Sequence, residues 1–145
     1  MRALGIDLGS KRIGVATSDR SGTIATPLTV LQRSGSRETD YRAISELVTE
    51  YEIECVVVGL PLHMNGTHGD AAKSAVAEVQ QLTSVLSVPV LTFDERRTTV
   101  TADSILMEQN MNTQERRKVI DKVAAAVMLQ SWLDGRKMME TPSRD

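Results

Sequence analysis

Along the chain, apolar positions first alternate with polar ones, then recur at helical spacing, then run together. Arg2–Asp7 alternates and ends at Gly9, the pattern of a strand entering a tight turn. Arg12–Ser18 reads as a second short strand, and Thr23–Leu31 as a third after the Ser21-Gly22 turn. Strands this close in sequence pair antiparallel, because a parallel partner needs a long crossover. Over Thr39–Tyr51 the period changes: Ile44, Leu47, Val48 and Tyr51 fall three or four residues apart, which predicts a helix. Cys55-Val-Val-Val-Gly59 is a continuous run, mostly β-branched, the signature of a strand buried on both faces.

A loop over Leu60–Gly69 follows, then a helix from Asp70 to Leu86 whose apolar stripe is Ala72, Ala75, Val76, Val79 and Leu82. Val88–Phe93 is a fifth strand ending on Asp94-Glu95. Thr99–Glu108 has a helical pattern, Gln109–Gln114 reads as a loop, and a last helix covers Arg116–Asp134. Gly135 is expected to stop it, leaving Lys137–Asp145 as a frayed tail and residues 1–136 as one domain. The predicted class is α/β: a five-stranded mixed sheet, its first three strands antiparallel, with helices on both faces.

Composition narrows the function classes. Of 145 residues, 41% are hydrophobic and 25% charged, ordinary globular usage that excludes a disordered chain. Seventeen basic against nineteen acidic residues exclude a generic polycation. Aromatics at 3% are too few for a platform that stacks single-stranded bases. Any contact with nucleic acid must come from local basic clusters, and any chemistry from carboxylates. The longest apolar runs, Cys55–Leu62 and Ala124–Leu129, fall far short of the roughly 18 residues of a membrane span, so no membrane partner is expected. The single Cys55 permits no internal disulfide and reads as core in its Val-rich strand. With no leader-like segment before Asp7, the expectation is a cytoplasmic protein.

Asp7 closes the first strand, Asp94 and Glu95 close the fifth, and Asp121 lies near the start of the last helix before Ala124-Ala125-Ala126. In open α/β sheets the functional crevice lies at the carboxyl ends of strands. Three carboxylates meeting there repel one another unless cations neutralise them, and oxygen-only ligation favours Mg²⁺ or Mn²⁺ over zinc. Two such ions activate water and stabilise the leaving oxygen of a phosphodiester. The plain alternative is that each is a turn residue or serves a helix dipole, and spacing alone does not bring them together.

Four blocks in order resemble the YqgF family, also called RuvX, distant relatives of the RuvC resolvases. They are Gly5-Ile-Asp7-Leu-Gly9-Ser-Lys-Arg-Ile-Gly14-Val-Ala16; Val58-Gly59-Leu60-Pro61-Leu62 with Asn65-Gly66; Phe93-Asp94-Glu95-Arg96-Arg97-Thr98-Thr99; and Lys118-Val-Ile-Asp121-Lys-Val-Ala124-Ala125. The resemblance implies an RNase H-like fold and a nuclease. It assigns Asp7, Glu95 and Asp121 as catalytic carboxylates that bind Mg²⁺ or Mn²⁺, two ions being expected. Asp94 matches an adjacent acidic position; alternation turns only one of the two into the cleft without deciding which, and Glu95 is taken as the ligand. The implied substrate is precursor 16S rRNA, met free or in ribosomal precursor particles, with branched DNA (a Holliday junction) as the alternative. A monomer or a homodimer is compatible with the resemblance. Arg96-Arg97 is more basic than the family's usual pair.

Other residues support a nucleic-acid reading. Lys11 and Arg12 sit in the first hairpin beside Asp7, Arg96 follows the acidic pair, and Arg117 and Lys118 begin the last helix against its dipole. Asn65 and Gly66 lie in a loop leading to a helix N-terminus, a place that suits phosphate. His63 and His68 lack a third partner and read as loop packing. Gly5-Ile-Asp-Leu-Gly9 also resembles the first phosphate loop of actin-like ATPases and sugar kinases, but 145 residues leave no room for their second domain. A non-catalytic nucleic-acid-binding module is the remaining alternative.

Overall fold

The computed structural model describes residues 1–63, 65–98 and 113–140. Five strands form one sheet in the order β3-β2-β1-β4-β5: β1 (Ala3–Leu8), β2 (Arg12–Ser18), β3 (Ala25–Gln32), β4 (Cys55–Leu60) and β5 (Val90–Asp94). The first three are antiparallel neighbours, whereas β4 lies parallel to β1 and β5 parallel to β4. Helices α1 (Arg37–Glu50) and α2 (Asp70–Val85) connect the later strands, and α3 (Thr113–Glu140) ends the described chain.

Alternation along the strands builds two cores. Leu4, Ile6, Ile13, Val15, Val56 and Val58 pack with Tyr41, Ile44 and Val48 of α1 and Leu82 of α2. On the opposite face Ala3, Ala16, Cys55, Val57 and Phe93 meet Ala125, Met128, Leu129 and Leu133 of α3. Every residue of β4 is buried, as its unbroken apolar run implies. Helices therefore cover both faces of a mixed sheet.

Local chemistry sets the ends. The Ser36 side chain accepts from the Thr39 N–H and caps α1. Asp19 accepts the N–H groups of Thr23 (2.7 Å) and Ile24 (3.1 Å), which keeps these two residues in the turn and delays β3 to Ala25. The last helix departs from expectation. It is already helical at Thr113, the first described residue after 98 and three before the expected start, and runs through Gly135 to Glu140 instead of stopping. Glycine weakens a helix by about 1 kcal/mol without breaking it. Here the next turn is tied down: the Arg136 guanidinium lies 4.9 Å from the Trp132 ring, and its Nη1 reaches Met1 Sδ at 3.7 Å. The helix expected over Thr99–Glu108, most of the loop after it and residues 141–145 lie outside the described residues.

Candidate active site

Parallel pairing of β1, β4 and β5 brings their carboxyl ends to one edge of the sheet. Asp7 shares the α3 face with Ala3 and Gly5 by alternation, and Glu95, in the 3₁₀ turn after β5, lies over Gly59, which shares that face with Val57. The two carboxyl groups hydrogen-bond one another. Burial raises the pKa of Asp7 and the charge of Asp121 raises it further, while the bond from Glu95 opposes both. Glu95 is pushed up to about 7, by burial first, then by the charge and hydrogen bond of Asp7 and the charge of Asp94. Near neutral pH the pair holds a proton between two oxygen-rich groups.

Three glycines make this edge. A Cβ on Gly59, at the end of β4, would sit 3.0 Å from Glu95 Cγ, so the bare position leaves room for that side chain. A Cβ on Gly14, which pairs with Asp7 in the β1–β2 ladder, would overlap the backbone carbonyl of Asp121. On Gly5 it would lie 2.8 Å from Leu129 Cβ. The close seat of α3 is thus provided by glycines of the sheet as much as by the alanines of the helix. An isolated glycine inside a strand is the sequence signal for such an approach.

Asp121 reaches this edge, yet its carboxylate is paired with Arg12, Nε to Oδ2 at 2.5 Å. Among the described residues no three His, Cys, Asp or Glu side chains are gathered closely enough to hold an ion. The arrangement is a half-buried Asp7–Glu95 pair with a third carboxylate turned aside. As a donor set the pair suits a hard divalent cation, which would take the place of the shared proton.

Asp94 is engaged elsewhere. It caps the 3₁₀ turn Glu95–Arg97 by accepting the Arg96 N–H at 3.0 Å, and it takes the Arg96 Nε at 2.9 Å. Hydrogen bonding to Arg96 holds its pKa below the ordinary carboxylate value. Gly66 has φ +87° at the tip of its loop, where Asn65 Oδ1 accepts from Thr67 N (3.0 Å) and Oγ1 (2.7 Å). A Cβ on Gly66 would lie 3.4 Å from Arg96 Nη1, so the Asn65-Gly66 loop and Arg96 meet. Lys11 is exposed on the β1–β2 turn and Arg117 on the first turns of α3, while the side chain of Lys118 lies outside the described residues. The His63 ring packs on Gly69, where a Cβ would overlap it.

One network was not legible as functional. Arg33, just past β3, donates to both oxygens of Glu78 on α2 (2.8 and 2.9 Å) and to the carbonyl of Gly9 (2.7 Å), and Tyr41 donates to Glu78 at 2.7 Å. Its backbone N–H also bonds the Lys11 carbonyl at 3.0 Å. Arg33 therefore braces the turn that joins Asp7 to Arg12. The only signal was an acid among the small and apolar residues that α2 buries, beside Ala75 and Leu82.

A family model described as RuvX: Holliday junction resolvase matches residues 1–135. A protein of Thermoanaerobacter pseudethanolicus is 44% identical over 138 residues, covering 94% of this chain and 99% of the relative. One of Caldanaerobacter subterraneus subsp. tengcongensis is 47% identical over 138 residues with the same coverage. Both carry the name "Putative pre-16S rRNA nuclease". Thermus thermophilus RuvC, solved in complex with a Holliday junction substrate, is 16% identical with a TM-score of 0.61, covering 95% of this chain and 96% of that one. A second Thermus thermophilus RuvC structure gives a TM-score of 0.56 at 16% identity, over 95% of this chain and 97% of that one. The likeness to RuvC is one of fold, RNase H-like.

Proposed function

The chain belongs to the RuvX family, and from that premise we propose a divalent-metal-dependent endonuclease whose centre is the Asp7–Glu95 pair, with Asp121 as third carboxylate. The observation that carries this reading is the mutual hydrogen bond of two carboxyl groups with raised pKa values at the carboxyl edge of the sheet. Such a pair is unfavourable as a structural device and suited to a site that exchanges a proton for a cation. Asp7, Glu95 and Asp121 would hold Mg²⁺ or Mn²⁺, which when bound supplies Lewis-acid polarisation of the phosphodiester and a more acidic water. The chain's own contribution is to orient that ligand set and hold the strand. The Asn65-Gly66 loop lies against Arg96, the residue after Glu95, and the two would together hold a phosphate of the bound strand. Lys11, Arg117 and Lys118 extend the contact along the backbone.

The favoured substrate is precursor 16S rRNA, following the names of the relatives. It is met in the cytoplasm, free or within ribosomal precursor particles, by a monomer or a homodimer. Branched DNA is the second reading, favoured by the family description and by the RuvC complex. No helix among the described residues is long and apolar enough to cross a membrane.

The test is cleavage of end-labelled precursor 16S rRNA and of a mobile four-way DNA junction, with Mg²⁺, Mn²⁺ or EDTA. Asp7→Asn is expected to lower metal-dependent cleavage of one substrate by roughly a thousandfold. Binding without cleavage of either substrate by the wild type would instead favour a non-catalytic binding module.

A further inference from the structure

Arg12 is set to do more than contact a phosphate. Its Nε lies 2.5 Å from Oδ2 of Asp121, and both side chains are only 24% exposed. The contact joins β2 to α3 across 109 residues of sequence. Its place is dictated by the fold, because Arg12 and Gly14 alternate onto the α3 face and Gly14 lets the Asp121 backbone come down on the strand. The Arg12 backbone is anchored separately, its carbonyl accepting the Gly9 N–H at 2.9 Å. The side chain can therefore move while the turn stays in place.

Asp121 lies close enough for its charge to act on Asp7. Even so, no three-carboxylate cluster forms among the described residues. A guanidinium on one oxygen of Asp121 leaves the other oxygen available, but it sets a positive charge beside the place a dication must take. Charge-assisted hydrogen bonds of this kind are the stronger ones, and partial burial limits screening by solvent.

We propose that Arg12 is the resident counter-cation of Asp121, which a divalent ion must displace to recruit that carboxylate, so that Arg12 sets the metal affinity of the site. This rests on the reading of Asp7, Glu95 and Asp121 as a metal site. The same exchange frees a planar five-donor group beside the site, matched to a phosphate of the bound strand.

Mn²⁺ binding to the full-length chain, read by the loss of the free-ion EPR signal without nucleic acid, tests it. Arg12→Gln removes the charge while keeping much of the side chain's length, and is expected to tighten Mn²⁺ binding about tenfold. Arg12→Lys, which keeps a charge but not the planar fork, is expected to fall between. Asp121→Asn weakens binding, and adding Arg12→Gln to it restores less than twofold. That loss of coupling separates direct exchange from a general effect of removing a cation, since the latter would persist without Asp121. Binding by Arg12→Gln no tighter than wild type, in protein that melts cooperatively, overturns the exchange, as does a gain undiminished in the double variant. Wild type that takes up no Mn²⁺ at millimolar concentration overturns the metal reading of the site itself, and the exchange with it.

Discussion

A Cβ on Gly14 would overlap the carbonyl of Asp121, and neither the strand nor the helix can give way alone. Gly14→Ala is expected to cost about 3 kcal/mol in urea denaturation, the overpacking range, and to move Asp121 away from Arg12. Gly135 is the contrasting case. It lies in α3 without a positive φ, and a Cβ there would meet nothing within 4 Å. Gly135→Ala should therefore stabilise the protein by about 1 kcal/mol. A loss of stability there would contradict a helix continuing through that position. The two glycines look alike in sequence, one within a strand pattern and one at a helix end. What separates them is that a Cβ on Gly14 meets the Asp121 carbonyl and one on Gly135 meets nothing within 4 Å; the strand pattern signals a close approach at Gly14 but does not name the partner.

Among the elements, the brace from β3 through Arg33 to Glu78 on α2 and Tyr41 on α1 carries the largest local consequence. Side-chain exposure is 17% for Arg33 and 4% for Glu78, so Glu78→Ala strands a largely buried guanidinium and is expected to cost about 3 kcal/mol. Burial alone raises the pKa of Glu78, but hydrogen bonds from Arg33 and Tyr41, with the charges of Arg33 and Arg37, outweigh it and leave the carboxyl below its ordinary 4.5. A depressed folded-state value stabilises fully above 4.5, and that contribution is lost as pH falls through the lower value. The urea midpoint of wild type should therefore drop on acidification below pH 4.5, and drop less steeply in Glu78→Gln. An acid in an apolar stripe hints at burial, but its partners come from β3 and α1, and no periodicity within α2 names them. Element boundaries were legible only to within a few residues, because caps and turns shift them locally: Asp19 holds Thr23 and Ile24 in the turn, so β3 starts at Ala25 and not Thr23.

Across the whole molecule, the cost of gathering carboxylates at one edge appears as a pH dependence of the metal-free protein. The raised value of Glu95, about 7, means that its protonated form is favoured by folding. Its stabilising contribution is present below the ordinary 4.5 and lost as pH rises through about 7. Thermal melts in EDTA should show this decline between those limits, and Asp7→Asn, by removing the main like charge, should flatten it. A melting curve in EDTA that rises across this range would contradict the shared-proton pair. We also propose residues 1–136 as the folding unit, since Arg136 packs on Trp132 and reaches Met1 at the start of that span. A chain ending at Arg136 should melt within about 2 °C of the full-length protein.

The pattern of apolar positions by itself determined five strands, the antiparallel start, the helices α1 and α2 and their inward faces, because period and burial are properties of neighbouring residues. Alternation turned only one of Asp94 and Glu95 toward the cleft without deciding which, and the pattern put Asp7 and Glu95 at strand ends. Tertiary structure alone decided that these two carboxyl groups touch, since their meeting depends on the parallel register of β1, β4 and β5 and on the space left at Gly59. It likewise decided that Asp121 faces Arg12 and that Arg33 braces the turn between Asp7 and Arg12. Contacts between residues far apart in sequence are set by how sheet and helices pack, and local spacing carries no record of that distance.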